Sequence, residues 1–284
     1  CVRVEKHGYT LSEQKIEETF EQQIQKCLGK FIITTTSSNI SRIQQAINVA
    51  QRHGRKIVFA GRSIEQNAEV AAKLGYLTLP KQFMITTEEV AKYHGSEIMV
   101  LATGSQGQDN SALWRMANGE HKIKIVNGDF VIFSQDPIPG SEGAIDALIN
   151  TLIKAGADVY YSAILDDIHV SGHEAADGLK LMLNLVKPKF VWPIGGTLRQ
   201  IKLYEKLAKS MGYQQNKIVV PQEGQVFEFD NDQVRIVEKV EVKNILIDGL
   251  GVGDVGNIVL RDRLTMSADG FVMVIVPVEK ATGE

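Results

Sequence analysis

Apolar and polar positions along the chain follow two alternating periods. From about residue 10 to about residue 211, segments with apolar residues three and four apart are separated by short continuous apolar runs of strand length. Thr10-Leu11-Ser12-Glu13 has the form of a capping box and predicts a charged amphipathic helix that Gly29 ends. Residues 31–36 predict a buried strand rich in β-branched side chains. Ser37-Ser38-Asn39 offers an N-cap for a helix through His53, with Gly54 just beyond its end. Strands then fall on residues 56–60, 97–102, 125–133 (interrupted at Asn127-Gly128) and 159–161. The helices between them run from about residue 61 to Gly75, over 111–118 and over 142–155.

Two further units follow: a helix over 173–186 that stops before Lys187-Pro188, a strand at 190–192, and a helix over 197–211 closed by Gly212. This is βαβ alternation, and it predicts an α/β fold with a mostly parallel sheet flanked by helices. Beyond Lys217 the pattern shortens to strand-like pieces at 218–220, 226–229, 234–237, 245–247, 258–260 and 271–276, with turns at Asp230-Asn231-Asp232 and Asp269-Gly270. No internal repeat or low-complexity tract interrupts the chain.

Composition narrows the class. The 284 residues are 44% hydrophobic and 23% charged, as in a folded soluble protein, and no apolar run reaches the ~20 residues that cross a bilayer. A net charge of −3 supplies no general attraction for polyanions, so any nucleic-acid surface is local. Cys1 and Cys27 fit neither a metal spacing nor a disulfide framework, which makes a reducing, cytoplasmic setting the expectation. The chain does not begin with Met, and its opening reads like mid-protein sequence, so it is read as a possible fragment.

The densest polar constellation is Asp166-Asp167-Ile168-His169-Val170-Ser171-Gly172-His173, in a strand-to-helix turn. If the following helix starts at His173, its free N–H groups favour a bound phosphate or carboxylate, and His169 and His173 can donate to that anion, act as acid or base, or bind a metal. The plainer alternative is that the histidines cap the helix. Thr103-Gly104-Ser105-Gln106-Gly107-Gln108 follows a strand and precedes a helix, and its glycines suit close approach of a ligand, though it lacks the endings of the standard phosphate loops. Pro137–Glu142 reads as a rigid loop. Asp136, Asp158, Asp166 and Asp167 read as solvated loop acids. The glycine-rich stretch 249–256 reads as a bend between strands, because no helix is expected after it. Arg42, Arg52, Arg55 and Arg62 are candidates for a local basic face.

In combination these residues resemble ribonuclease J, a β-CASP member of the metallo-β-lactamase superfamily. The resemblance runs in order through His7–Glu13, Ser38-Asn39, Gly61-Arg62-Ser63, Thr103–Gly107, Ser111-Ala112-Leu113, Arg115-Met116-Ala117, Ile138-Pro139-Gly140, His169–His173, Leu179–Leu183, Asp248–Asn257 and Arg261-Asp262-Arg263. It implies a β-CASP domain over 1–163, the C-terminal half of a metallo-β-lactamase αββα fold over 164–265, and the start of a linker or further domain over 266–284. It implies RNA processing and degradation by a two-zinc enzyme. It also implies an RNA and phosphate site at His169, Ser171, His173, Gly104, Ser105, Gln106, Asn39 and Arg62. Two departures bear on activity. No His-x-His-x-Asp-His metal motif occurs, and Pro193-Ile194-Gly195-Gly196-Thr197 has Gly195 where the family carries a zinc-ligating His. The expectations are therefore that this chain alone binds no zinc and that its partners are RNA and a second copy, the missing N-terminal half or an active paralogue. One alternative is a catalytically inactive RNA- or partner-binding pseudo-enzyme; another is a split enzyme completed by a separate chain. A lone C-terminal half-sandwich is further expected to expose apolar surface.

Overall fold

The computed structural model describes residues 2–165, 167–243, 245, 247–248, 251–252 and 257–270, and divides into two compact units. The first comprises Cys1–Lys187 and Gly195–Leu207, the second Pro188–Ile194 and Ala208–Glu284.

The first unit is built on five parallel strands: β1 (Phe31–Thr34), β2 (Lys56–Ala60), β3 (Ile98–Ala102), β4 (Phe130–Phe133) and β5 (Asp158–Tyr160), in spatial order β2-β3-β1-β4-β5. Every residue of β1, β3 and β4 is buried, as expected of strands covered on both faces. Alternation assigns the side chains to two layers. Phe31, Ile33, Ile57, Met99, Leu101, Phe130 and Ile132 pack on α1 (Gln14–Ile24), α2 (Ile40–Arg52) and α3 (Arg62–Lys73). Ile32, Val58, Val100, Val131 and Phe133 pack on α4 (Ala112–Ala117) and α5 (Glu142–Lys154). The chain leaves β1 toward β2 on one side and returns from β3 to β4 on the other, so the winding reverses at β1. The carboxyl ends of β3, β1 and β4 open the crevice where doubly wound sheets take ligands. This is the mostly parallel, helix-flanked α/β sheet expected from the sequence.

Several local expectations fail for identifiable reasons. Thr10 does not cap α1: its Oγ1 donates to the His173 carbonyl (2.8 Å) and its N–H to Glu174 Oε1 (2.6 Å), while Glu13 occupies the cap position without a side-chain bond to the helix N–H groups. α1 ends at Ile24 rather than Gly29. The buried Arg55 guanidinium collects the carbonyls of Ile24, Cys27 and Gly29 at 3.4, 2.8 and 2.9 Å, satisfying the chain outside a helix.

At the amino edge of the sheet, Asp129 is fully buried. Its carboxylate accepts the N–H groups of Lys30 (2.8 Å) and Val126 (2.9 Å) and lies 2.8 Å from Lys30 Nζ. Gly29 must be glycine here, because a Cβ would stand 2.6 Å from Asp129 Oδ1 and from the Gly128 carbonyl oxygen.

In the second unit the expected strands at 190–192 and 218–220 reduce to a single parallel bridge between Val191 and Ile218. Pro193 and Pro221 have no N–H with which to extend it. An antiparallel pair, β6 (Gln225–Phe229) with β7 (Val234–Lys239), carries a bulge at Val226/Phe227. Trp192 stacks on Phe229 at 5.1 Å, with Phe190 and Phe227 beside them. A two-residue pair, β8 (Ile247–Asp248) with β9 (Gly251–Val252), follows. The expected strand at 258–260 lies inside a helix, Asn257–Asp269. Ile258-Val259-Leu260 is β-prone read alone, but Arg261, Leu264, Met266 and Ala268 after it favour helix. A helix therefore does follow the glycine-rich stretch, of which 249–250 and 253–256 lie outside the described residues, as does the expected strand at 271–276.

Apolar surface is exposed on both units. Leu181, Met182, Leu185 and Val186 are open on α6 (Ala176–Val186), and Trp192, Ile236 and Val237 are open in the second unit.

Asp129→Ala is expected to lower unfolding free energy by about 3 kcal/mol, because it leaves a buried ammonium and two N–H groups unpaired. Urea denaturation measures this, and a loss below about 1 kcal/mol would remove Asp129 from that role.

Candidate functional site

Three loops leave the carboxyl edge of the sheet after β1, β3 and β4 and enclose a cavity of about 310 Å³. Thr35, Thr36, Ser37, Ser63, Thr103 to Gln106, Gln108, Ser111, Gln135 and Ile138 line it, so its walls are hydroxyls, carboxamides and backbone, with no charged side chain. Gln135 Oε1 accepts from Thr36 Oγ1 and from Ser105 Oγ, both at 2.6 Å, which joins all three loops. Gln106 is equally committed. Its Nε2 donates to the Asp136 carbonyl (3.1 Å), and its Oε1 accepts from the Ile138 N–H (2.8 Å) and Ser141 Oγ (2.7 Å). The two glutamines staple the loops, leaving hydroxyl oxygens and peptide groups for a ligand.

The glycines of this loop serve the chain itself. At Gly104 (φ +120°) a Cβ would collide with Ser111 Oγ, and at Gly107 (φ +69°) it would meet the Ala144 backbone. The close approach read from the sequence is thus between loop and helix starts within the protein.

His169 reaches the same edge through Asp136, whose Oδ2 lies 3.8 Å from His169 Nε2. Burial pushes the imidazole's pKa down, opposed by the nearby Asp136 carboxylate, and Nδ1 is buried with no partner among the described residues. What holds this segment is Arg42, which is fully buried. Its Nη1 donates to the Ser134 carbonyl (2.8 Å) and the Ile168 carbonyl (3.3 Å), and also to Ser134 Oγ. Its Nε donates to Glu13 Oε1 at 2.9 Å, with Nη2 2.7 Å from the same oxygen. Ser134 Oγ donates in turn to the Ile168 carbonyl at 2.5 Å.

Ser171 and His173 lie two and four residues on in an exposed turn, where the His173 N–H donates to Ser171 Oγ (3.1 Å). The helix does not begin there: α6 starts at Ala176. Its first N–H groups are occupied, Ala175 donating to Glu174 Oε1 (2.8 Å), Ala176 to the Lys6 carbonyl (2.9 Å) and Asp177 to the Gly8 carbonyl (3.0 Å). N–H donation from Thr10 and Ala175 holds the Glu174 carboxyl below the usual range. The chain's own carboxylate therefore occupies the place where the sequence suggested an external anion.

Of the other candidates, Asn39 is the N-cap of α2, its Oδ1 accepting the Arg42 N–H at 3.1 Å, and Arg62 is exposed at the start of α3 beside the cavity-lining Ser63. Gly104, Ser105 and Gln106 line the cavity, and His169 reaches Asp136, the neighbour in sequence of the lining Gln135. Ser171, His173, Asn39 and Arg62 do not line it. The four-arginine basic face is not formed: Arg42 and Arg55 are buried, and Arg52 pairs with Glu17 and Glu21 at 2.8 Å each. Asp158 is exposed at the start of β5, Asp167 takes φ +60°, and Asp166 lies outside the described residues. The sequence reading missed Gln135, Ser134 and the hydroxyl run Thr35-Thr36-Ser37, whose signal was a cluster of Ser and Thr directly after a strand. Among the described residues no group of three or more His, Cys, Asp or Glu is placed to hold a metal, and Gly195 (φ +79°) carries no donor atom. The described residues do not fit a zinc centre.

Comparison with known proteins places this geometry. The domain family described as "Ribonuclease J, beta-CASP domain" matches residues 28–152. The chain is 41% identical to "Ribonuclease J2" of Bacillus subtilis over 277 residues, 97% of this chain and 50% of that protein. It is 39% identical to "Ribonuclease J 1" of Streptococcus pyogenes over 272 residues, 95% of this chain and 48% of the relative. "Ribonuclease J 2" of Staphylococcus aureus is 37% identical over 276 residues, 97% and 49%. The chain spans about half the length of these curated relatives.

Two outcomes follow from this geometry. Arg42→Met is expected to destabilise the chain by about 3 kcal/mol in urea unfolding, and to speed amide exchange at Val170 more than in α5. Unchanged exchange at Val170 would show that Arg42 does not hold the segment. His169 is expected to titrate below 6.5 by NMR, and further below in Asp136→Asn. With the folded pKa under the unfolded one, its contribution to stability is complete above pH 6.5 and declines as pH falls from there to the folded value. A midpoint above 6.5 would contradict the burial argument.

Proposed function

We propose, from the premise that the chain belongs to the ribonuclease J family and carries its β-CASP domain, that it binds RNA at the carboxyl edge of its parallel sheet and holds an RNA phosphate there. The observation that carries this reading is the cup of hydroxyls and peptide groups at the winding reversal, with His169 fixed beside it by Arg42 and Asp136. Neutral donors in a fixed array suit a sugar–phosphate, since hydroxyl and peptide N–H groups provide a large share of nucleic-acid backbone contacts. His169, Ser171 and His173, which lie outside the cup, hold a neighbouring phosphate of the same RNA by side chain, because the N-terminus of α6 is already filled by Glu174. A phosphate beside His169 favours the imidazolium that burial disfavours, so binding and protonation reinforce each other. Gly104, Ser105 and Gln106 shape the cup, Asn39 presents the loop that enters α2, and Arg62 supplies the nearby exposed cation.

In this reading residues 1–163 are the β-CASP domain and 164–265 part of a metallo-β-lactamase domain, with 266–284 leading onward, in a cytoplasmic RNA-processing protein. The resemblance assigns zinc-dependent phosphodiester hydrolysis to the complete protein, and none of this chain's described residues supplies a metal step. Gly195 favours a second reading, a catalytically inactive module that binds RNA or an active paralogue.

His169→Ala and His173→Ala are expected to weaken binding of 5′-monophosphorylated RNA about tenfold, as expected for losing a charge-assisted hydrogen bond worth ~1.5 kcal/mol. Lys124→Ala, exposed elsewhere, is expected to leave it unchanged. Fluorescence anisotropy reads this, and equal effects of all three would refute the pocket assignment. Zinc content and RNA cleavage measured on the full-length parent separate the readings: both present favour the enzyme, RNA binding without either the inactive module.

A further inference from the structure

A second, larger cavity, about 740 Å³, lies between α1, α2 and α3. Along one wall runs a ladder of carboxamides in which every orientation is fixed. Gln44 Oε1 accepts the Thr78 N–H (2.7 Å), Gln44 Nε2 donates to Asn48 Oδ1 (2.8 Å), and Asn48 Nδ2 donates to Glu17 Oε2 (3.4 Å). Each carboxamide nitrogen has two N–H bonds, so Gln44 and Asn48 each retain one for a ligand. Across the groove Asn67 spends its Nδ2 on Ser37 Oγ (3.1 Å) and keeps its Oδ1 as an acceptor. Val70, Leu74 and Tyr76 form an apolar margin, and Tyr76 is 77% exposed. Among the described residues no Lys, Arg or His lines the groove, and Glu17 is the one charged side chain, held by Arg52 at 2.8 Å. A phosphate is disfavoured here. A flat heteroaromatic with hydrogen-bond donors and acceptors on its edge is not.

The groove adjoins the carboxyl-edge cup. Ser37 lines the cup and Ser38, the next residue, lines the groove, and the Asn67–Ser37 hydrogen bond ties the two walls together. We propose that this groove between α2 and α3 seats unpaired bases of the RNA whose phosphate lies in the cup, with Tyr76 as the stacking surface and the Gln44–Asn48 ladder facing the base edge. The proposal rests on the RNA-binding reading above. The preset ladder lowers the ordering cost of the contact, and stacking tolerates any base, so the groove adds affinity with little sequence demand.

The test compares a short 5′-monophosphorylated RNA with the same RNA carrying abasic riboses at its internal positions, each titrated into the chain by anisotropy. The unaltered protein is expected to bind the intact RNA about tenfold more tightly, and Tyr76→Ala to abolish that preference by weakening only the intact RNA. Asn48→Ala is expected to reduce the preference as well, and Tyr76, being exposed, keeps the test valid if Asn48→Ala fails to fold. Equal binding of both RNAs by the unaltered chain, or a preference that survives in Tyr76→Ala, would overturn the base groove while leaving the phosphate cup intact. Absence of binding to either RNA would refute the RNA reading and this proposal with it.

Discussion

The first unit depends on one buried guanidinium. Arg42 rises from the first turn of α2 into a space with no solvent and makes its bonds to groups that come from elsewhere in the chain: Glu13 ahead of α1, Ser134 at the end of β4, and Ile168 just before His169. A fully buried cation is costly unless hydrogen-bonded and paired. That cost accounts for the geometry, in which these three segments present the carboxylate and carbonyls around a rigid, planar donor fork. Burial pushes the guanidinium's pKa down and the Glu13 carboxylate pushes it up, and at any physiological pH it remains charged. The site therefore inherits its shape from a residue that no ligand touches.

The same logic operates at the opposite edge of the sheet. Arg55 and Asp129 gather carbonyls and N–H groups left over where α1 stops and β4 begins, so both edges are closed by buried ions rather than by longer secondary structure. The reversal of winding at β1 leaves three carboxyl loops that have to be held against one another across the crevice. Gln106 and Gln135 solve that problem by bonding across the loops.

Much of this was legible in the sequence. β2 was read with its observed bounds, and β1, β3 and β5 to within two residues, because continuous β-branched and aliphatic runs bounded by Gly or polar residues signal strands covered on both faces. The Asn39 cap and the αL glycine Gly54 were readable as local chemistry. What was not legible is long-range. Thr10 looks like a cap until His173 and Glu174 claim both its polar groups, more than 160 residues away. Arg42 and Arg55 look like surface cations, since nothing local announces burial. The turn before α6 reads as an anion site because Glu174, the anion that fills it, is indistinguishable in sequence from a solvated acid. Ile258-Val259-Leu260 misleads by the opposite route, as a strongly strand-like triplet inside a helix-prone neighbourhood.

These burials also decide how such a unit can recognise a polyanion. With a net charge of −3 over the whole chain, two of the unit's four candidate arginines sealed inside and a third held by two glutamates, little long-range field would draw RNA toward the crevice. In the RNA-binding reading proposed above, affinity then comes from short-range terms: hydroxyl and peptide donors, a histidine whose protonation would respond to a phosphate, and surfaces that would accept bases. Such terms depend on register to within tenths of an ångström, whereas a basic patch does not. A neutral cup can discriminate a correctly seated phosphate from a passing one only if its walls do not move. The buried Arg42 and the glutamine staples, which cost the fold desolvation and freedom, provide that immobility.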